Sequence, residues 1–184
     1  MYTISRRAFG ALTLAAGAGF AGAAFAQDLE NTLYLDLAYG RVVIQLRPDK
    51  APTTVARIKQ LAREGFYDGT PFHRVIPGFM AQGGDPTGTG TGGSGKNLPA
   101  EFNDIRHERG TVSMARSANP NSADSQFFIC FAPAPHLDGQ YTAFGQVVEG
   151  MEFVDRIKKG SGGGGIVSAP QDRLVKMSVA ADAQ

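Results

Sequence analysis

Between Phe72 and Asp85 the chain reads FHRVIPGFMAQGGD, which sets a histidine, an arginine, a glutamine and an aspartate among apolar residues and glycines. Residues of these types can ligate a metal, move protons, or hold a bound molecule in place. Metal binding asks for ligands at short fixed spacing. The three histidines, His73, His107 and His136, form no i, i+3 or i, i+4 pair, and no cysteine pair joins them. Nucleophilic catalysis also lacks parts: there is no Gly-x-Ser-x-Gly elbow, and the single cysteine, Cys130, sits inside the apolar run 126–131. That is the setting of a small buried side chain. No metal and no cofactor is expected.

Arg74 remains. On a strand, residues 72, 74 and 76 share a face, so Phe72 and Ile76 are expected to flank its guanidinium. Phe79, Met80 and Gln82 follow within one short return, offering an apolar floor and an amide able to orient the cation. A second segment, 113–131, repeats the mixture with Ser113, Ala115, Arg116, Gln126 and Phe128. An apolar pocket holding one fixed cation, with no acid/base pair beside it, is an arrangement for binding. The stretch GTGTGGSGK at 88–96 imitates a phosphate loop through Gly90, Gly95 and Lys96. But Asn97 replaces the hydroxyl residue, no strand leads in, and Pro99 spoils a following helix, so it is read as a surface loop. The run GSGGGG at 160–165 is read as a flexible loop or turn.

These residues need a frame. Residues 32–47 carry two alternating runs, Leu33, Leu35, Leu37 and Val42, Ile44, Leu46, as a hairpin around 38–40 requires. Pro52 suits a first helical turn, Val55, Ile58, Leu61 and Ala62 recur at helical spacing, and Gly65 is a stop. Further strands are expected over 71–76, 79–83, 111–115, 127–131, 143–147 and 174–179, with a second helix over 151–158. Many short strands, two helices and 24 glycines favour a closed antiparallel barrel over an α/β sheet.

Residues 1–26 do not fit that frame. Arg6 and Arg7 precede an acid-free stretch rich in Ala, Gly and Leu that ends Ala24-Phe25-Ala26, a small-x-small cleavage pattern. The expectation is a signal peptide cleaved after Ala26, of twin-arginine type with the general secretory route as alternative, delivering the chain to the periplasm. An uncleaved membrane anchor is disfavoured by the glycine and alanine content, so no membrane insertion is expected after cleavage. Of 184 residues, 158 then remain as one domain, 27–184. Losing two arginines takes 18 basic residues to 16 against 17 acidic ones, a net of −1, which gives no electrostatic case for a nucleic-acid partner.

The motifs together resemble a cyclophilin, a peptidyl-prolyl cis–trans isomerase, over about Leu33 to Val179. The stretch 72–85 is that family's most specific signature, and 125–129, 137–139 and 144–147 follow in the expected order. The resemblance implies an eight-stranded antiparallel barrel capped by two helices. It implies that Arg74 is catalytic, held by Gln82, and that Phe79, Met80, Phe128 and Leu137 line a proline pocket. Ala115, Arg116 and Gln126 border the peptide groove, and His73 lies beside it. Three positions differ from eukaryotic members: Arg116 replaces Asn, Tyr141 replaces a pocket histidine, and His136 replaces a tryptophan that contacts cyclosporin. His136 and Tyr141 are still counted among the groove residues. The implied partners are proline-containing peptides and folding proteins, bound by a monomer.

Overall fold

The computed structural model describes residues 28–183; the leader and cleavage site expected over 1–26 lie outside them. Eight strands form one antiparallel sheet: β1 Thr32–Leu37, β2 Gly40–Leu46, β3 Arg74–Ile76, β4 Met80–Gly83, β5 Thr111–Met114, β6 Phe127–Cys130, β7 Ala143–Glu149 and β8 Leu174–Val179. The spatial order is β3-β4-β6-β5-β7-β2-β1-β8. Two helices accompany it, α1 Pro52–Arg63 and α2 Met151–Asp155.

The hairpin follows from its alternation. Leu33 pairs with Ile44 and Leu35 with Val42, so both apolar triplets enter the main core together. α1 buries Val55, Ile58, Leu61 and Ala62 and packs against β8. Its N-terminal amides are capped from a distance: the Glu101 carboxylate accepts from Thr53 and Thr54 N–H, each at 2.8 Å. α2 is shorter than the periodicity predicts. After Val154 the bonds tighten to i→i−3, and the Lys158 amide donates to Asp172 at 2.7 Å instead of continuing the helix.

The barrel is open, not closed as expected. β3 is three residues long, and the strand predicted from 71 begins only at Arg74. Upstream, 70–72 leaves for β8: Phe72 N–H donates to Asp172 O, Leu174 N–H to Thr70 O, and Pro71 bridges Arg173. Pro71 has no N–H to extend that pairing into a ladder. The free edge of β3 is covered by the glycine-rich run instead. Val75 N–H donates to Gly165 O at 2.7 Å and Gly160 N–H to Val75 O at 2.9 Å. Gly165 permits this approach: its φ is +67°, and a Cβ there would collide with Ile76.

The side-chain parity also breaks at His73. Phe72 and Val75 both belong to the main core, so Phe72 does not flank Arg74 as expected. Ile76 does face the second, smaller cluster of Met80, Phe128, Cys130, Ala134 and Leu137. That cluster marks the site. β4 and β6 are buried on both faces: Ala81, Phe127 and Ile129 enter the main core, while Met80, Phe128 and Cys130 enter the smaller cluster. Two-sided burial explains why β6 reads as the unbroken apolar run FFIC.

Candidate functional site

Strand register assembles the site. Arg74 on β3 pairs with Gln82 on β4, Gln82 with Phe128 on β6, and Phe128 with Ser113 on β5, forming one row across four strands. Side chains of a row share a face. Beside it lie Phe79, which ends the β3–β4 turn, and the short helical turn Pro135–Leu137. The result is a groove of about 440 Å³. Ten of the eleven residues expected at the site line it: Arg74, Phe79, Met80, Gln82, Ala115, Arg116, Phe128, His136, Leu137 and Tyr141. The eleventh, Gln126, lines an adjoining cavity that shares Gln82, Ala115 and Arg116 with the groove.

Arg74 is half-buried and held at two points. Its Nε donates to Gly164 O at 3.0 Å and its Nη1 to Gln82 Oε1 at 3.2 Å. Arginine only donates, so Gln82 must present its oxygen here. Its amide nitrogen then donates to Gln126 Oε1 at 2.9 Å, and Gln126 Nε2 donates to Gly92 O at 2.8 Å and Gly90 O at 3.0 Å. The orientation of both amides is thus set along a single chain. A guanidinium has five N–H donors. Those left over on Nη1 and Nη2 meet no protein acceptor among the described residues and are available to a bound molecule.

The floor is apolar. Met80 and Phe128 are buried, and Tyr141 meets Phe128 edge-on with centroids 5.9 Å apart. Phe79 and His136 lie 5.4 Å apart on the rim. Cys130, beneath Met80, is fully buried, and burial pushes its thiol up to about 12, so it stays a protonated packing group.

The other histidines occupy different settings. His107 backs the floor: its ring stacks on Phe128 at 6.1 Å, and its nitrogens bond Asp138 and Ser113, each at 3.0 Å. Burial lowers its pKa, against the pull of Asp138. His73 is 3% exposed, lines the groove beside Gly90, and its ring nitrogens have no hydrogen-bond partner among the described residues. Burial lowers its pKa as well.

Three contributors escaped the sequence reading: the Gly164 carbonyl, the side chain of Ile166, and the backbone at Thr89–Gly90. All lie in glycine-rich runs, where composition says loop but nothing says against what. In the 88–96 loop and the turn before it, most amides are already occupied: the Asp85 carboxylate accepts from Thr87, Thr89, Gly90 and Gly92 N–H, and Asp124 accepts from Ser94 and Gly95 N–H. The chain supplies its own anions.

Comparison with known proteins agrees with this fold. Residues 32–179 match the family described as cyclophilin type peptidyl-prolyl cis-trans isomerase/CLD. A probable peptidyl-prolyl cis-trans isomerase of Brucella suis biovar 1 (strain 1330) is 51% identical over 192 residues, covering 97% of this chain and 95% of the relative. Peptidyl-prolyl cis-trans isomerase B of Bacillus subtilis (strain 168) is 50% identical over 122 residues, covering 65% of this chain and 85% of the relative. Among solved structures, cyclophilin AquaCyp293 from Hirschia baltica superposes with a TM-score of 0.75 at 28% identity, over 84% of this chain and 76% of that one. A Cryptosporidium parvum cyclophilin determined in the presence of the dipeptide Ala-Pro gives 0.74 at 30% identity, over 80% and 98%.

The chain belongs to the cyclophilin-type peptidyl-prolyl cis–trans isomerase family. It is an isomerase enzyme.

Proposed function

We propose that this isomerase is an exported monomer that accelerates rotation about X-Pro bonds in proteins folding in the periplasm, with Arg74 stabilising the twisted amide and the Met80–Phe128 cluster holding the proline ring. The observation that carries this reading is the clamped guanidinium standing over an apolar floor in one groove.

The chemistry asks for little else. Rotation about a peptide bond meets a barrier of about 18–20 kcal/mol, because the nitrogen lone pair is delocalised into the carbonyl. Before proline the two isomers lie within about 1 kcal/mol, so the difficulty is rate. No bond to hydrogen or carbon breaks. In the twisted state the prolyl nitrogen becomes pyramidal and more basic, and carbonyl charge shifts. The free N–H groups of Arg74 meet this altered charge better than they meet the planar amide, which is what lowers the barrier. The clamp from Gly164 and Gln82 means that little reorganisation accompanies the event, and the apolar surroundings strengthen each donor contact. Phe79, Leu137 and Tyr141 border the ring. Ala115, Arg116 and His136 border the peptide.

Gln82 holds Arg74 without reaching the amide itself in this mechanism, so Gln82→Ala is expected to lower kcat/KM only about tenfold, mainly through kcat, in an exchange NMR assay on an X-Pro peptide. That factor corresponds to about 1.4 kcal/mol, the scale of one hydrogen bond. A loss as large as that of Arg74→Ala would instead place Gln82 among the reacting contacts.

For export, the support is the leader at 1–26 and the relative from Brucella suis, whose alignment covers 97% of this chain and so includes most of that leader. Replacing Arg6 and Arg7 by lysines is expected to leave uncleaved precursor in the cytoplasmic fraction, because the twin-arginine route reads that pair. Normal processing and periplasmic recovery would assign the general secretory route.

A further inference from the structure

Arg116 forms the wall between the groove and its neighbouring cavity, and its side chain borders both. The guanidinium stands 4.5 Å from the centre of the Tyr141 ring and 5.8 Å from that of Phe102. Nε and Nη2 donate to Gln140 O at 3.1 and 2.8 Å, and Nη1 donates to Ser117 O at 2.9 Å and Ala118 O at 3.4 Å. Every one of these partners is neutral. They fix the cation in place and leave its charge uncompensated. Among the described residues no carboxylate lies within 4.0 Å of Arg116.

Of the acids on this side of the molecule, Asp124 lines the neighbouring cavity, where the loop amides hold it, and the others are engaged away from the groove. Asp124 accepts from Ser94 and Gly95, Asp138 from His107, and Glu101 from the first turn of α1. The groove lining holds Arg74 and Arg116 and contains no Asp or Glu. A peptide whose proline occupies the apolar floor and whose chain continues into the neighbouring cavity must therefore pass a rigid, unpaired cation.

We propose that Arg116 makes this enzyme select X-Pro substrates that carry an acidic side chain within two residues of the proline. The proposal rests on the isomerase reading of the groove and names the substrate class for it. A carboxylate about 6 Å from a half-exposed guanidinium gains roughly a 3- to 10-fold preference when solvent keeps the effective dielectric at about 40 to 80. Salt screens such a contact, because the Debye length shrinks from about 30 Å at 0.01 M to about 3 Å at 1 M.

The test uses peptides identical except for Glu or Gln placed one or two residues before or after the proline, a pair that differs in charge at nearly constant shape. Kd and kcat/KM are both measured, the latter by exchange NMR, for the native protein, Arg116→Gln and Arg116→Lys. At one or more of these positions Glu is expected to exceed Gln about 3- to 10-fold at low salt. The ratio falls towards one at high salt and in Arg116→Gln, and it survives in Arg116→Lys, which keeps the charge. A Glu/Gln ratio near one at every position, or a preference unaltered in Arg116→Gln, overturns the proposal. Loss of the preference in Arg116→Lys as well overturns its electrostatic basis. A Glu-favouring Kd without turnover of any peptide would support the acidic preference and overturn the isomerase reading instead.

Discussion

Arg74→Ala is expected to lower kcat/KM on an X-Pro peptide by about 10²–10³, the range seen when one donor to a developing charge is removed from an enzyme, or about 3–4 kcal/mol. The fold is expected to survive, because Arg74 is half-buried, makes no ion pair with a carboxylate among the described residues, and stands outside both buried clusters. Its loss frees the Gly164 carbonyl and the Gln82 oxygen, both close enough to the groove for water to replace the bonds. A circular dichroism melt beside the kinetic assay separates the two effects. The loss should fall on kcat, since the apolar floor proposed to bind the ring is untouched. Arg74→Lys tests the fork against the charge. A lysine presents one ammonium and cannot meet Gly164, Gln82 and substrate together, so it should recover little. Native rates in Arg74→Ala would rule out the mechanism. An intact protein that binds proline peptides but shows no turnover in any form would be a binding module built on the same groove.

The second large effect is on stability. Asp85→Ala is expected to destabilise the fold by about 2–4 kcal/mol, because it removes the buried carboxylate that accepts charge-assisted hydrogen bonds from the N–H groups of Thr87, Thr89, Gly90 and Gly92. For a domain of this size that lowers Tm by roughly 4–16 °C. The carboxylate is fully buried, and burial by itself raises its pKa. Hydrogen bonds from Thr87 and from the Gly92 and Gly90 amides outweigh that and hold it at about 2. The folded pKa is therefore depressed below the unfolded value of about 3.9. The stabilisation is fully present above about pH 4 and is lost as pH falls through 2, an amount of about 2 kcal/mol. Urea unfolding at pH 5 and at pH 2 should show the gap between native protein and Asp85→Ala narrowing by about that much. A gap that does not change with pH would mean that Asp85 is not the anion organising the loop. A secondary effect on activity follows the same bonds. Gly90 and Gly92 hold Gln126, Gln126 holds Gln82, and Gln82 holds Arg74, so a slackened loop loosens the guanidinium.

Much of this protein can be read along the chain. The alternation of Leu33, Leu35 and Leu37 with Val42, Ile44 and Leu46 specifies the first hairpin, because a period of two fixes which faces are buried and the short turn between Leu37 and Gly40 fixes the register. The stretch 72–85 announces a cation beside an apolar floor, and the segment around Arg116 and Phe128 announces a second piece of the same surface. Local chemistry suffices there, since side-chain type and period are both written in sequence. The mismatch of Asn97 and Pro99 with a phosphate loop is legible in the same way.

Other features depend on what the chain meets in space. Alternation placed Phe72 beside Arg74, but 70–72 pairs towards β8 and turns Phe72 into the main core. α2 stops early because Asp172 captures the Lys158 amide. The barrel stays open because Pro71 cannot extend the seam and a glycine-rich turn covers β3 in place of β8. The same turn supplies the Gly164 carbonyl that fixes Arg74, and a backbone oxygen carries no mark in the sequence. Sequence by itself determined the strands, the helix faces and the kinds of side chain at the groove. Tertiary structure decided which way they point, because a hydrogen-bond partner about ninety residues away cannot be read from local pattern.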